Sequence, residues 1–287
     1  MKRLSYIITL TSLSLLFSCK TGLKDNTKIE YITEPITEAQ SRAERISVPN
    51  QKQRVRGEWI ILNSSGKAID AMDERAYINF SPREGKIYGF TGCNYINGDF
   101  NIENNDNIEF SNIITTTRHC DAISDENNIL NALGTASKFI IYKKSDLYFM
   151  DLEDAAGKRI MHTKRHNADV LTGVWKINTI HGKNVSNQEI DLVIDIPELK
   201  LYGNLGCNRL NGTIGLDRNK DWFIQFYSIT STNNNCNDTA LNLERDLLIA
   251  LEEVEYIDRK DHNNVRLLDK DKKEVLSLKR SELETKE

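Results

Sequence analysis

Gly89–Phe100 reads GFTGCNYINGDF, and Gly203–Ile214 reads GNLGCNRLNGTI. The pattern Gly-x-x-Gly-Cys-Asn-x-x-Asn-Gly thus occurs twice, 114 residues apart. Two glycines, a cysteine and an Asn-Gly pair within ten residues suit a tight turn that carries a covalent or liganded group. The repeat extends outward in both directions. GEWIILNSSGKAI (Gly57 to Ile69) aligns with GVWKINTIHGKNV (Gly173 to Val185), placing Trp59 on Trp175, and Cys120 aligns with Cys236. The offsets are 116, 114 and 116 residues, so one register holds through a unit of about 108 residues, an ordinary domain size. The expected organisation is a leader at 1–18, a polar tether at 19–54, and domains at 55–163 and 170–280, joined near Thr163 to Asp169.

Within each unit the hydrophobic period is two. AYINFS, KIYGF, NIEFSNIITT and DLYFMDL alternate in the first, and LVIDI, WFIQFYSIT, VEYIDRK and VRLLDKD in the second. Asn97-Gly98 and Asn211-Gly212 are expected at two-residue hairpins, because both residue types tolerate positive φ. One segment per unit changes to helical spacing. Ile129, Leu133 and Ala136 follow a Ser124 cap, and Leu243, Leu247, Leu251 and Val254 follow Asn237 or Thr239. Short antiparallel strands broken by one helix predict an α+β, mainly β fold: a curled sheet or small barrel whose helix covers one opening. Trp59 and Trp175 are expected in the two cores.

The N-terminus carries an address. Met1-Lys2-Arg3 precedes an apolar run from Tyr6 to Phe17, and Leu16-Phe17-Ser18-Cys19 places a small residue before a cysteine. This is a secretory signal resembling a bacterial lipobox, with Cys19 as the lipid-bearing first residue. Lys20, where a retained lipoprotein would carry Asp, points by analogy with enteric sorting to the outer membrane, with periplasmic facing expected. Removal of residues 1–18 leaves 36 of the 38 basic side chains against 42 acidic ones. No basic stripe interrupts that balance, so a nucleic-acid partner has no electrostatic support.

With Cys19 assigned to lipid, four cysteines remain in an exported chain, which favours disulfides. The repeat makes Cys93–Cys120 and Cys207–Cys236 the expected pairs, each pinning the helix entrance to the Gly-Cys-Asn turn. Asn94 and Asn208 have two open readings: presenting an amide to a ligand, or capping a turn through their own backbone two residues on.

Gly57-Glu58-Trp59, Gly92-Cys93-Asn94 with Gly98, and the threonine-rich approach to Cys120 are similar to the META domain of HslJ-like bacterial lipoproteins. The second copy shows Gly173-Val174-Trp175, Gly206-Cys207-Asn208 with Gly212, and Thr230-Ser231-Thr232 before Cys236, with two extra residues in that approach. The resemblance implies two small calycin-like barrels, each with one helix, an association with heat or envelope stress and antibiotic sensitivity, and no catalytic residues.

Catalytic and cofactor motifs are not found. His119 adjoins Cys120, but Asn235 takes that place in the repeat, so a Cys–His pair is not a shared feature. The chain has no Cys-x-x-Cys, Gly-x-Ser-x-Gly or P-loop, and no metal or cofactor is expected. The histidines at 119, 162, 166, 181 and 262 read as surface residues; the four-residue spacing of His162 and His166 suits a metal only on a helix. The expected function is that of a non-enzymatic, lipid-anchored envelope protein acting through an unknown envelope protein partner. The alternative is a carrier holding a small apolar ligand inside a barrel.

Overall fold

The computed structural model describes residues 47–69, 74–119 and 123–281, with the side chains of 123 and 124 excepted. The leader, Cys19, the tether up to 46 and Cys120 lie outside the described residues. Both repeats belong to one compact unit.

In the first repeat, β1 (Gly57–Ser64), β3 (Tyr77–Ser81), β4 (Lys86–Phe90), β5 (Tyr95–Glu103) and β6 (Asn107–Thr115) form an antiparallel meander. The short β2 (Lys67–Ala68) folds back on β1. Helix α2 (Ile123–Thr135) intervenes before β7 (Lys138–Lys144), β8 (Leu147–Glu153) and β9 (Arg159–Lys164). The sheet then closes, because β9 pairs with β1. The second repeat runs in the same order through β10 (Gly173–Ile180), β11 (Lys183–Asn184), β12 (Asp191–Asp195), β13 (Lys200–Asn204), β14 (Arg209–Gly215) and β15 (Gln225–Ser231). Helix α3 (Asp238–Glu253), β16 (Tyr256–Arg259), β17 (Asn264–Leu268) and β18 (Glu274–Arg280) complete it, and β18 pairs with β10.

Each ring has one narrow seam, where the chain leaves for its helix. In the first barrel a single residue pair, Asn107 with Lys138, joins β6 to β7, flanked by bonds from Ile108 N to Ser137 O (3.0 Å) and from Phe139 N to Asp106 O (2.9 Å). In the second, Phe223 bridges Tyr256, flanked by Ile224 N to Glu255 O (3.1 Å) and Ile257 N to Trp222 O (2.9 Å). Elsewhere along the seam the exposed edge of β7 needs cover. Residues 47–51 supply it: Ser47 bridges Tyr142, Val48 N bonds Ile141 O at 2.9 Å, and the buried Gln51 side chain accepts from Ile141 N at 2.7 Å. The last part of the stretch read as tether, with α1 (Gln51–Arg54), is therefore docked on the first barrel.

The two-residue period does what it predicts. Along β5, Ile96, Gly98, Phe100 and Ile102 point inward, while Tyr95, Asn97, Asn101 and Glu103 do not. Two separate apolar clusters fill the barrels, around Trp59, Phe80, Ile129 and Met150 in one and Trp175, Leu192, Leu247 and Leu276 in the other. Helix α3 buries Leu247, Ala250 and Leu251, and Asn237 caps it by accepting from Ala240 N at 2.9 Å. Helix α2 begins at Ile123, before Ser124, so that residue does not stand ahead of the helix as its cap.

The Asn-Gly pairs do not form the hairpin turns expected of them. Asn97-Gly98 and Asn211-Gly212 lie inside β5 and β14, at β-bulges that interrupt the pairing with β6 and β15. The β5–β6 reversal is made instead by Asn104 and Asn105, whose φ values of 49° and 71° meet the requirement of a tight hairpin. At Gly98 the neighbouring strand comes so close that a side chain would stand 3.1 Å from Ile113 Cγ1 and 3.2 Å from Ser111 O. The glycine admits a close strand contact rather than a turn. No helix among the described residues is long and apolar enough to cross a membrane.

Candidate functional site

The repeated Gly-Cys-Asn turn is a buried polar knot. Gly92 and Gly206 take φ of +95° and +86°, which side chains disfavour, and this lets the chain reverse between strands. The next residues reach to the helix entrance. Asn94 is 2% exposed; its Oδ1 accepts from Thr116 Oγ1 (2.8 Å) and Arg118 N (2.7 Å), and its Nδ2 donates to Arg118 O (3.2 Å) and Glu126 Oε1 (3.2 Å). In the second barrel Asn208 accepts from Thr232 Oγ1 (3.0 Å) and Asn234 N (2.9 Å) and donates to Glu244 Oε2 (2.7 Å). The buried asparagine side chains tie the turn to the helix. The glutamates complete the knot with a hydroxyl from a different place in each domain, Thr91 on Glu126 (2.7 Å) and Ser231 on Glu244 (2.6 Å). Glu126 and Glu244 are site residues that the motif pattern does not include. Their signal was a charged residue on the apolar stripe, three and seven positions before Ile129 and Leu133, or Leu247 and Leu251.

Cys207 and Cys236 are joined, with Cα atoms 6.1 Å apart. Cys93 is buried and disulfide-bonded; its expected partner Cys120 lies outside the described residues. Replacing Asn208 with alanine takes the donor from the buried Glu244 Oε2 while Oε1 keeps Ser231, an expected loss of about 1–3 kcal/mol. Glu244→Gln, which keeps an acceptor and a similar volume, should cost less. Urea denaturation of both variants checks this; equal, near-zero losses would mean the knot is dispensable.

A second repeated device sits near the Gly-x-Trp end of each barrel. Trp59 and Trp175 are fully buried and donate through Nε1 to Val55 O (2.7 Å) and Leu171 O (2.6 Å). Arg165 stacks its guanidinium 4.2 Å from the Trp59 ring, and Arg280 stacks 4.3 Å from Trp175. Each arginine donates into backbone carbonyls: Arg165 to those of Arg54 (2.6 Å) and Arg56, Arg280 to those of Val170 (2.6 Å) and Thr172 (3.0 Å). Burial pushes both guanidinium pKa values down from their ordinary range. This explains the motif's glycine. A side chain at Gly57 would stand 2.7 Å from Arg165 Nη1, and one at Gly173 2.6 Å from Arg280 Nη1.

These ends of the two barrels meet at a cleft of about 950 Å³. Trp59, Arg165 and Arg280 line it, with the β3–β4 hairpin, the β7–β8 turn, the β12–β13 turn and the β16–β17 loop. Eight lining residues are Lys or Arg and four are Asp or Glu, an excess of four positive charges on a chain whose net charge is −4. Arg56 crosses to Asp195 (2.9 Å) and Glu198 (3.0 Å), and Arg259 crosses to Asp146. Lys52, Arg54, Arg83, Arg165 and Arg280 have no carboxylate partner among the described residues.

Further ion pairs hold the domains together beside the cleft. Arg218 forks onto Glu58 (2.6 and 2.7 Å), reaches Glu74 (2.6 Å) and lies 3.6 Å from the Tyr77 ring centre. Burial, the largest single influence, lowers its pKa, but the hydrogen bond and charge of Glu58 together with Tyr77 and Glu74 outweigh it, and the net shift is upward. Asp221 accepts from Lys164 (2.8 Å) and Arg75 (3.1 Å).

His162 and His166 share no site. His162 bonds the buried Asp151 carboxylate at 2.6 Å, and His166, 4% exposed, is at the domain junction rather than on the surface. Its Nδ1 accepts from Ala168 N (3.1 Å), so Nε2 carries the proton that faces the carbonyls of Asp217 and Lys220, both at 3.1 Å. The ring bridges the first domain's exit to the β14–β15 loop of the second. Burial holds its pKa below the usual value, against the opposing pull of those carbonyls and of Asp221, with Lys164 adding to the depression. The unfolded state therefore binds the proton first, and stability falls as pH drops below about 6.5. Asp146 adds a later stage: hydrogen bonds from Arg259 and Lys143 hold it at about 2, so its contribution is complete above the ordinary carboxylate range and fades as pH approaches 2. His166→Gln should flatten the pH 7 to 5 limb of a thermal-melting profile and leave the limb below pH 4; an unchanged upper limb would exclude His166 as its source.

A cluster of buried apolar side chains lies inside each barrel. No curated protein matches the chain. One solved structure, an NMR structure of a protein from Burkholderia xenovorans, is similar at 19% identity and a TM-score of 0.35, covering 42% of this chain and 89% of the other. The META domain family model matches residues 52–167 and again residues 168–282. The chain belongs to the META domain family and carries two copies in tandem.

Proposed function

We propose that this is a non-enzymatic, lipid-anchored protein of the bacterial envelope that acts by binding a protein partner in the cleft between its two META domains. The observation that carries the reading is the cleft: it needs both domains, and its lining concentrates positive charge on an otherwise acidic chain. Charge concentrated in a concave site steers and selects partners. The leader and Cys19 support attachment at the outer membrane, facing the periplasm, and the family resemblance supports a part in envelope or stress tolerance. A tether on a lipid keeps the site near the membrane surface and raises the local concentration of envelope partners.

The test is site-specific photocrosslinking in cells, with the crosslinker at Ser81 in the cleft and, as a control, at the exposed Lys183. A discrete adduct from Ser81 alone, lost when Arg54 and Arg83 are both changed to Glu, supports cleft binding; equal labelling from both positions rejects it. Cys19→Ser should abolish uptake of labelled fatty acid, and continued uptake would reject the anchor.

A further inference from the structure

Resting on the reading of the cleft as the binding site, we propose that its occupant is an extended acidic peptide segment whose carboxylates alternate with apolar side chains. Three observations meet there. First, six of the eight cationic residues are Arg, whereas the whole chain holds 16 Arg among its 38 basic residues. Arginine presents a planar fork that matches a carboxylate or phosphate with two parallel bonds, which lysine does not.

Second, the cations are spread along the cleft rather than gathered at one point. Arg83 lies on the β3–β4 hairpin, Lys52 and Arg54 on α1, and Arg259 at the end of β16. A volume of about 950 Å³ is far more than one anionic group fills and sits at the upper end of the range for ligand sites, about 300–1,000 Å³. Successive negative charges on a chain suit this layout, and a single phosphate does not.

Third, the cations stand among apolar and aromatic surface, from the exposed Pro82 and the half-buried Tyr148, Val170 and Pro197. A bare polyanion leaves that surface uncovered. An extended peptide sends neighbouring side chains in opposite directions, so acidic and apolar groups reach different walls. The four cleft carboxylates, two of them already held by Arg56, Arg259 and Lys143, would repel an anion if free; this favours a ligand with spaced charges over a dense phosphate polymer.

The experiment is fluorescence anisotropy on the purified full chain. The probe is a fluorescein-labelled hexapeptide of alternating Leu and Glu, with a Leu–Gln peptide as control, and pyrophosphate and phosphatidylglycerol vesicles as competitors. Saturable binding of the Leu–Glu probe is expected, with none of the Leu–Gln peptide, at least tenfold weaker binding in the Arg54→Glu, Arg83→Glu double variant, and weakening as salt rises. Arg54→Gln with Arg83→Gln serves if charge reversal lowers the melting temperature. Equal binding of both peptides, no effect of either double variant, or vesicle binding without peptide binding would each overturn the proposal. Cleft-dependent crosslinks in cells without Leu–Glu binding would defeat the acidic-peptide assignment and leave the cleft reading standing. Loss of cleft-dependent crosslinking would defeat the cleft reading itself.

Discussion

Trp59→Ala lowers the stability of the first domain by about 3–5 kcal/mol, the range for a large aromatic removed from a packed core. The side chain is fully buried, donates to Val55 O and supports the stacked Arg165 guanidinium. Its loss therefore removes core volume and leaves Arg165 over a cavity, still bound to the carbonyls of Arg54 and Arg56. Set against a total stability of about 5–15 kcal/mol, the effect is a large share. At about 4 °C per kcal/mol for a domain of this size, melting should fall by about 12–20 °C. Trp59→Phe retains most of the buried area and should cost less than half as much. Calorimetry checks both, with Trp175→Ala as the matching change in the second barrel. A drop of less than about 4 °C for Trp59→Ala would show that the lock contributes little.

Removing the Cys207–Cys236 bond by a Cys207→Ser, Cys236→Ser double substitution should cost about 3.6 kcal/mol, the chain-entropy value for closing a loop of 29 residues. The Cα separation of 6.1 Å lies within the normal range of about 4.4–6.8 Å. The domain should still fold. The bonds from Asn208 to Glu244 and Thr232 join the same turn to the same helix entrance without sulfur. Combining the double substitution with Asn208→Ala cuts both ties, and the combined loss should exceed the sum of the separate ones, because each tie limits the disorder that follows loss of the other. Guanidinium denaturation of the three variants gives the comparison. Strict additivity would mean that the disulfide and the knot stabilise the fold independently.

Much of the architecture was legible because it rests on local periodicity and on the repeat. Alternation in segments such as Tyr95–Glu103 identifies strands, since one face of each is wet and the other packed. The apolar stripe of Asp238–Glu253 identifies a helix for the same reason. Two copies of one motif make a two-domain chain with Trp59 and Trp175 in equivalent cores. The Asn-Gly pairs misled because the same residue types serve tight turns and bulges, and the choice lies in how closely the next strand approaches.

The sequence by itself therefore determined the α+β, mainly β class, the tandem organisation and the turns that carry the cysteines. Only the tertiary structure decided what those turns and the arginines do. Asn94 meets Glu126 across 32 residues, Arg165 reaches back 111 residues to Arg54, and Arg218 reaches Glu58 across 160. No local period encodes such pairings. They arise when closure of each barrel brings distant strand ends together, and when docking of one barrel on the other makes a basic cleft from charges that are scattered along the chain.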